Sequence, residues 1–202
     1  MELDRYREVH VDLGTGDGKF VLRAARARPD VLVVGVDMLA EAFADAASRA
    51  ARKPTRGGAP NAVFLASDAT RPPPDLHARA SLVTVNYPWG SLLRAVAAPQ
   101  AEPLRAIAGL LRPGGRLVAL LNLSAAEDSA YAERLELPPL DGEHIEGALV
   151  PGWRDAGLAE VSWRALAPGE DPPHRTTWGQ RLVRGSRRET LLVSAVRSSA
   201  SS

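Results

Sequence analysis

No cysteine occurs in the 202 residues, which excludes disulfides and thiolate metal sites. No apolar run approaches the roughly 20 residues that a transmembrane helix requires, and the N-terminus carries no apolar signal segment. The protein is therefore expected to be cytoplasmic, with no membrane partner; a monomer is also expected. Lysine is nearly missing too: Lys19 and Lys53 are the only two, so arginine supplies almost all of the 25 basic residues. Against 24 acidic residues the net charge is +1, which selects no partner by itself, so the placement of the arginines matters more than their number. The four histidines are scattered, without metal-ligand spacing or a paired nucleophile, and no metal site is expected. At this length the chain fits a single α/β domain over 1–197, with a frayed tail at 198–202.

What is present begins with Val9-His10-Val11-Asp12-Leu13-Gly14-Thr15-Gly16-Asp17-Gly18-Lys19. Alternating apolar residues predict a short buried strand, the glycines permit a tight turn with close backbone approach, and Phe20-Val21-Leu22 begins helical spacing. Such a turn aims backbone N–H groups at a ligand. A second strand, Val31 to Val36, ends at Asp37, about twenty residues on, where a carboxylate can accept hydrogen bonds from ribose hydroxyls. Met38 follows it. The glycine spacing departs from the dinucleotide pattern, and Asp12 and Asp17 would repel a pyrophosphate. They suit a ligand carrying an ammonium and a sulfonium, which is S-adenosylmethionine (SAM).

Further along, Leu39 to Arg52 has helical spacing and stops at Pro54. Asn61 to Ala66 reads as the third strand, followed by Asp68-Ala69, where a carboxylate and a backbone N–H can take the amine and ring nitrogen of an adenine. Ser81 to Val85 is the fourth strand and runs into Asn86-Tyr87-Pro88-Trp89-Gly90. One helix is expected from about Ser91 to Leu111, ending in a turn at Arg112-Pro113-Gly114-Gly115 before the strand Arg116 to Leu121. This alternation predicts a Rossmann-like α/β fold: a mostly parallel seven-stranded sheet with helices on both faces and a C-terminal antiparallel hairpin. The ligand then lies across the carboxyl ends of the first four strands, where Asp12, Asp37, Asp68 and Asn86 all fall. Residues 122–147 form an inserted segment, with a helix from Ala125 to Leu135 over the ligand edge. A short helix, Val150 to Ala156, leads to the strand Ala159 to Leu166, and Glu189 to Val196 closes the sheet. The arginine-rich loop 167–188 between the last strands is too long for a mere turn, so it is a candidate functional element.

Four blocks carry a resemblance: Asp12-Leu13-Gly14-Thr15-Gly16-Asp17-Gly18-Lys19; Lys53-Pro54-x-Arg56-Gly57-Gly58-x-x-Asn61; Pro88-Trp89-Gly90-Ser91-Leu92-Leu93; and Thr176-Thr177-Trp178-x-x-Arg181-Leu182. In that order the chain resembles the Kam-type 16S rRNA adenine-N1 methyltransferases, class I SAM-dependent enzymes of kanamycin and apramycin resistance. The resemblance implies methylation of N1 of the decoding-site adenine, position 1408 in helix 44 of 16S rRNA in the 30S subunit. It also implies that two tryptophans sandwich the flipped base, at Trp89 and Trp178, with Thr176 helping to hold the site together. Base–aromatic stacking of roughly 1–3 kcal/mol can offset the cost of extruding a stacked base. The family usually begins with an N-terminal hairpin before the first strand; here Val9 arrives almost at once, so the hairpin is absent or the start is truncated.

The expected cofactor contacts are Asp12, Gly14, Thr15, Gly16, Gly18, Asp37, Met38, Asp68, Ala69, Asn86 and Ser91. RNA contacts are expected from two basic clusters, Arg49, Arg52, Lys53 and Arg56 at a helix end, and Arg181, Arg184, Arg187 and Arg188 after Trp178, with Arg134 one position out of the family's register. Trp153 and Trp163 sit in helix and strand patterns and are expected in the core. Asn86-Tyr87-Pro88-Trp89 also approximates the motif of exocyclic-amine methyltransferases. An adenine-N6 or tRNA guanine-N7 enzyme, or a small-molecule SAM methyltransferase, therefore stays open on the residues alone.

Overall fold

The computed structural model describes residues 5–123, 129–167, 170–174 and 189–199. Seven strands form one sheet in the order β3-β2-β1-β4-β5-β7-β6. The strands are β1 (Glu8–Leu13), β2 (Val31–Asp37), β3 (Ala62–Ala66), β4 (Ala80–Asn86), β5 (Leu111–Asn122), β6 (Leu158–Ala165) and β7 (Thr190–Arg197). The first five run parallel, and β7 pairs antiparallel with both β5 and β6. Helices α1 (Lys19–Ala27) and α2 (Ala40–Ala50) cover one face. Helices α3 (Gly90–Ala97) and α4 (Ala101–Gly109) and the chain from α5 (Ser129–Leu135) through α6 (Gly142–His144) to α7 (Val150–Asp155) pack on the larger core. Strands β1 and β2 are buried almost throughout, as expected of parallel strands covered on both sides.

Three expectations are corrected. The single helix over Ser91–Leu111 is two helices, because Pro99 disfavours helical geometry at Ala98, which takes φ −117° and ψ 79°. Gly152 of α7 seats against that corner, where a Cβ would lie 2.5 Å from Pro99. The turn at Arg112–Gly115 lies within β5 as a bulge: Ala80 pairs with Leu111, but Leu82 pairs with Arg116. Trp163 is not core. It is 36 % exposed, and its indole N–H donates to Glu146 Oε1 at 2.7 Å. β6 is the edge strand of the sheet, so Trp163, although opposite the buried Val193 of β7, has no further strand beyond it among the described residues to cover its ring. Trp153 is fully buried, with its indole N–H on the Val96 carbonyl at 3.0 Å.

Candidate functional site

The turn after β1 crosses the end of β2: the Gly14 and Thr15 N–H groups donate to the Val36 carbonyl at 2.8 and 3.1 Å. Gly16, at φ 54°, donates to Asp37 Oδ2 at 2.9 Å, and Leu39 N–H donates to Oδ1 at 3.1 Å. One carboxylate therefore closes the glycine turn and starts the chain toward α2. A Cβ on Gly16 would meet nothing within 4 Å, because the residue borders an open cavity. Gly18 has another reason to be glycine. At φ 66° a Cβ there would lie 2.6 Å from Phe64 and 2.8 Å from Ala46, so it lets α1 approach α2 and β3, and it stands off the cavity wall.

The cavity opens at the carboxyl ends of β1, β2 and β4, beside the turn after β3, and its walls include Asp12, Gly14, Thr15, Gly16, Asp37, Met38, Asp68, Ala69, Asn86, Trp89 and Ser91. Folding thus brings ten of the eleven expected cofactor residues to one place. The wall also includes Phe20, Tyr87, Pro88 and Leu92, which sequence reasoning missed. Phe20 and Leu92 have the spacing of ordinary apolar helix positions, and no signal in the sequence marks their outward neighbours.

Two-residue periodicity sets the polar wall. Pairing of Asp12 with Thr84 puts His10, Asp12, Thr84 and Asn86 on one face of adjacent strands. His10 Nε2 lies 2.9 Å from Thr84 Oγ1, which donates to Asp12 Oδ1 at 2.7 Å, and Asn86 Nδ2 donates to the same oxygen at 2.9 Å. Thr84 gives its proton to the carboxylate, so it accepts from the imidazole, which makes His10 a neutral Nε2–H tautomer. Burial pushes Asp12 up to about 6, against the hydrogen bonds that pull it down. Burial likewise pushes His10 down to about 3. Asn86 Oδ1 is buried with no hydrogen-bond partner among the described residues. An acceptor without a donor beside a buried carboxylate fits a ligand that brings a cationic donor, as the ammonium of SAM would. Asp68 Oδ1 accepts from the Thr70 amide and hydroxyl, both at 2.8 Å, which orients the carboxyl group at the cavity.

At the mouth, Tyr87 adopts φ 51° while its amide donates to the Leu120 carbonyl at 2.8 Å. A left-handed tyrosine costs roughly 1–2 kcal/mol, and here it turns the chain so that Pro88 and Trp89 leave the sheet over the cavity. Trp89 is 50 % exposed. Its indole meets the Tyr131 ring edge-on, centroids 5.4 Å apart, and Arg134 lies over Tyr131 at 5.3 Å. On the opposite side, His174 packs on Phe20 at 5.6 Å and on His10 at 6.4 Å, so the chain entering the long loop is held at the cavity wall. Thr176, Trp178, Arg181, Arg184, Arg187 and Arg188 lie outside the described residues. Arg52, Lys53 and Arg56 are exposed on the loop after α2, whereas Arg49 pairs with Asp45 at 3.1 Å within α2.

Comparison with known proteins agrees with this geometry. The NpmA family, described as 16S rRNA (adenine(1408)-N(1))-methyltransferase, matches residues 1–197. A 16S rRNA (adenine(1408)-N(1))-methyltransferase of Streptoalloteichus tenebrarius is 37 % identical over 183 residues, covering 88 % of this chain and 81 % of its own. The crystal structure of the aminoglycoside resistance methyltransferase NpmB1 is 40 % identical, with a TM-score of 0.83 over 96 % of this chain and 89 % of its own. A W203A variant of the Catenulisporales acidiphilia 16S rRNA (adenine(1408)-N(1))-methyltransferase, solved with the cosubstrate SAM, is 31 % identical with a TM-score of 0.85, covering 99 % of this chain and 90 % of its own.

Proposed function

Since the chain belongs to the 16S rRNA (adenine(1408)-N(1))-methyltransferase family, we propose that it methylates N1 of A1408 in 30S subunits, thereby conferring aminoglycoside resistance, with the base stacked between Trp89 and Trp178. The observation that carries this reading is a half-exposed indole at the mouth of a carboxylate-lined cavity, at the carboxyl edge of the parallel strands. Work on ribosomal subunits places the reaction in the cytoplasm, and one chain supplies every residue the reading uses.

SAM, when bound, supplies a methyl group on a positively charged sulfur. Asp12 and Asn86 Oδ1 would accept from its ammonium, Asp37 from its ribose hydroxyls, and Asp68 with the Ala69 amide would take its adenine. Thr84 and His10 hold the Asp12 carboxylate behind the wall. Adenine N1 carries a free lone pair, so no residue has to remove a proton. Transfer of that methyl to N1 would leave the base cationic. Indole faces on the base favour that charge, and they exclude water from it. Catalysis is then mainly positioning. Arg52, Lys53 and Arg56, with Arg134 and Arg181, Arg184, Arg187 and Arg188, supply the charge that phosphate backbone requires.

Primer extension on 16S rRNA tests the reading. Incubating 30S subunits with protein and SAM should produce a stop at A1408, because an N1 methyl blocks Watson–Crick pairing. Methyl incorporation without a stop at that position would instead indicate an exocyclic amine or another nucleotide and overturn the assignment.

A further inference from the structure

Helix α3 begins at Gly90 with Trp89 at its N-cap, and Trp89 provides no side-chain cap. The first amides of a helix have no partner within it. Here the cap comes from another element: Gly90 N–H donates to the Tyr131 hydroxyl oxygen at 2.9 Å, from α5. The same ring meets the Trp89 indole edge-on at 5.4 Å and carries the Arg134 guanidinium at 5.3 Å. A turn further along α3, Arg94 pairs with Glu136, just past the end of α5. Gly90 adopts φ 57°, a left-handed conformation that favours glycine, and a Cβ there would meet nothing within 4 Å. The Tyr131 hydroxyl on the next amide and the Tyr131 ring on the indole thus both bear on the direction in which Trp89 leaves the chain.

We propose that Tyr131 is a positioning residue for methyl transfer, capping α3 across elements and setting the indole plane of Trp89 for the incoming base while it braces Arg134 beside it. This rests on the reading of Trp89 as a base-stacking residue. It does not require Tyr131 to touch RNA or cofactor. The two contacts of Tyr131 can be separated by substitution. Tyr131→Phe keeps the ring against Trp89 and under Arg134 but removes the acceptor for Gly90 N–H, whereas Tyr131→Leu removes both.

Single-turnover methylation of 30S subunits, alone and in the Trp89→Ala background, tests the proposal. Tyr131→Phe should lower the rate at saturating 30S by about two- to tenfold, the range of one lost hydrogen bond, with 30S and SAM affinities within twofold of wild type. Tyr131→Leu should lower it further, with SAM affinity still unchanged. In the Trp89→Ala background neither substitution should add more than twofold, because a residue acting through Trp89 has nothing left to orient. Full additivity in that background, a wild-type rate for both single variants, or a loss confined to SAM binding would overturn the proposal. Should Tyr131→Leu fail to fold, the Phe variant and its cycle decide. A wild-type rate for Trp89→Ala itself, with slow Tyr131 variants, would mean that the base-stacking reading has failed, and this role of Tyr131 with it.

Discussion

Asp37 shows how much one side chain does here. Its two oxygens hold the Gly16 and Leu39 amides, so the carboxylate shapes the turn as well as facing the cavity. Asp37→Ala should weaken SAM binding by roughly 1–3 kcal/mol through lost charge-assisted hydrogen bonds, measured by titration calorimetry; unchanged affinity would remove Asp37 from the ribose site. Trp89 is the second single-residue test. Trp89→Phe should keep partial methylation and Trp89→Ala lose most of it, since a smaller ring still stacks and a methyl does not. SAM affinity should change little. Adding Trp178→Ala should cost little beyond the worse single variant, as members of one clamp are non-additive; full activity of Trp89→Ala would rule the clamp out.

At the scale of elements, the turn between β1 and α1 divides its glycines by task. Gly16 leaves room for a ligand, whereas Gly18 lets α1 close on Phe64 and Ala46. Gly18→Ala combines left-handed strain of roughly 1–2 kcal/mol with overpacking of roughly 1–3 kcal/mol. It should therefore lower stability by a few kcal/mol in chemical denaturation, and a melting curve like wild type would contradict this packing. The loop after α2 makes a different prediction. Arg26 of α1 donates to the Gly57 carbonyl, and Asn61 Nδ2 donates to the Ala25, Arg28 and Val31 carbonyls at 2.8–3.0 Å, so the loop is held by contacts that leave Arg52, Lys53 and Arg56 exposed. Replacing those three by glutamate should weaken 30S binding and flatten its salt dependence while SAM affinity stays intact. An unchanged salt slope would place the RNA contacts elsewhere.

For the molecule as a whole, the buried His10–Thr84–Asp12 chain predicts an unusual acid profile. His10 binds its proton near 6.5 when unfolded and near 3 when folded, so it withdraws stability as pH falls below about 6.5. Asp12 works in the opposite direction. Its folded value of about 6 exceeds its ordinary 3.8, so the folded state takes up a proton first and gains stability as pH falls from about 6 to about 4. Over that window the two slopes cancel, each on the order of 1 kcal/mol per pH unit. Relative to Asp12→Asn, wild type should therefore gain stability between pH 6 and pH 4 and hold a constant difference outside it. Parallel melting curves of the two proteins throughout that window would show that Asp12 is not titrating there.

The alternation in β1, the unbroken apolar run of β2, the glycine turn and the acidic residues at the strand ends are local facts, and they determine the architecture and ten cavity residues. The four sequence blocks reach the family because each is a short run whose internal spacing is local, two of them at or just past the ends of β1 and β4. What escaped the sequence was decided by contacts between distant segments. Pro99, which splits one helix in two, is the local exception; the place of β6 at the sheet edge leaves Trp163 partly exposed, and Tyr87 takes a left-handed backbone that no local pattern announces. Tyr131 and His10 are the clearest cases. A tyrosine in a short helix and a histidine in a strand gain their roles only when the fold sets them against Gly90 and Thr84, 41 and 74 residues away. Propensity and period act over one or two turns of chain, whereas a hydrogen bond across the sheet or between helices depends on where the whole chain has put both ends.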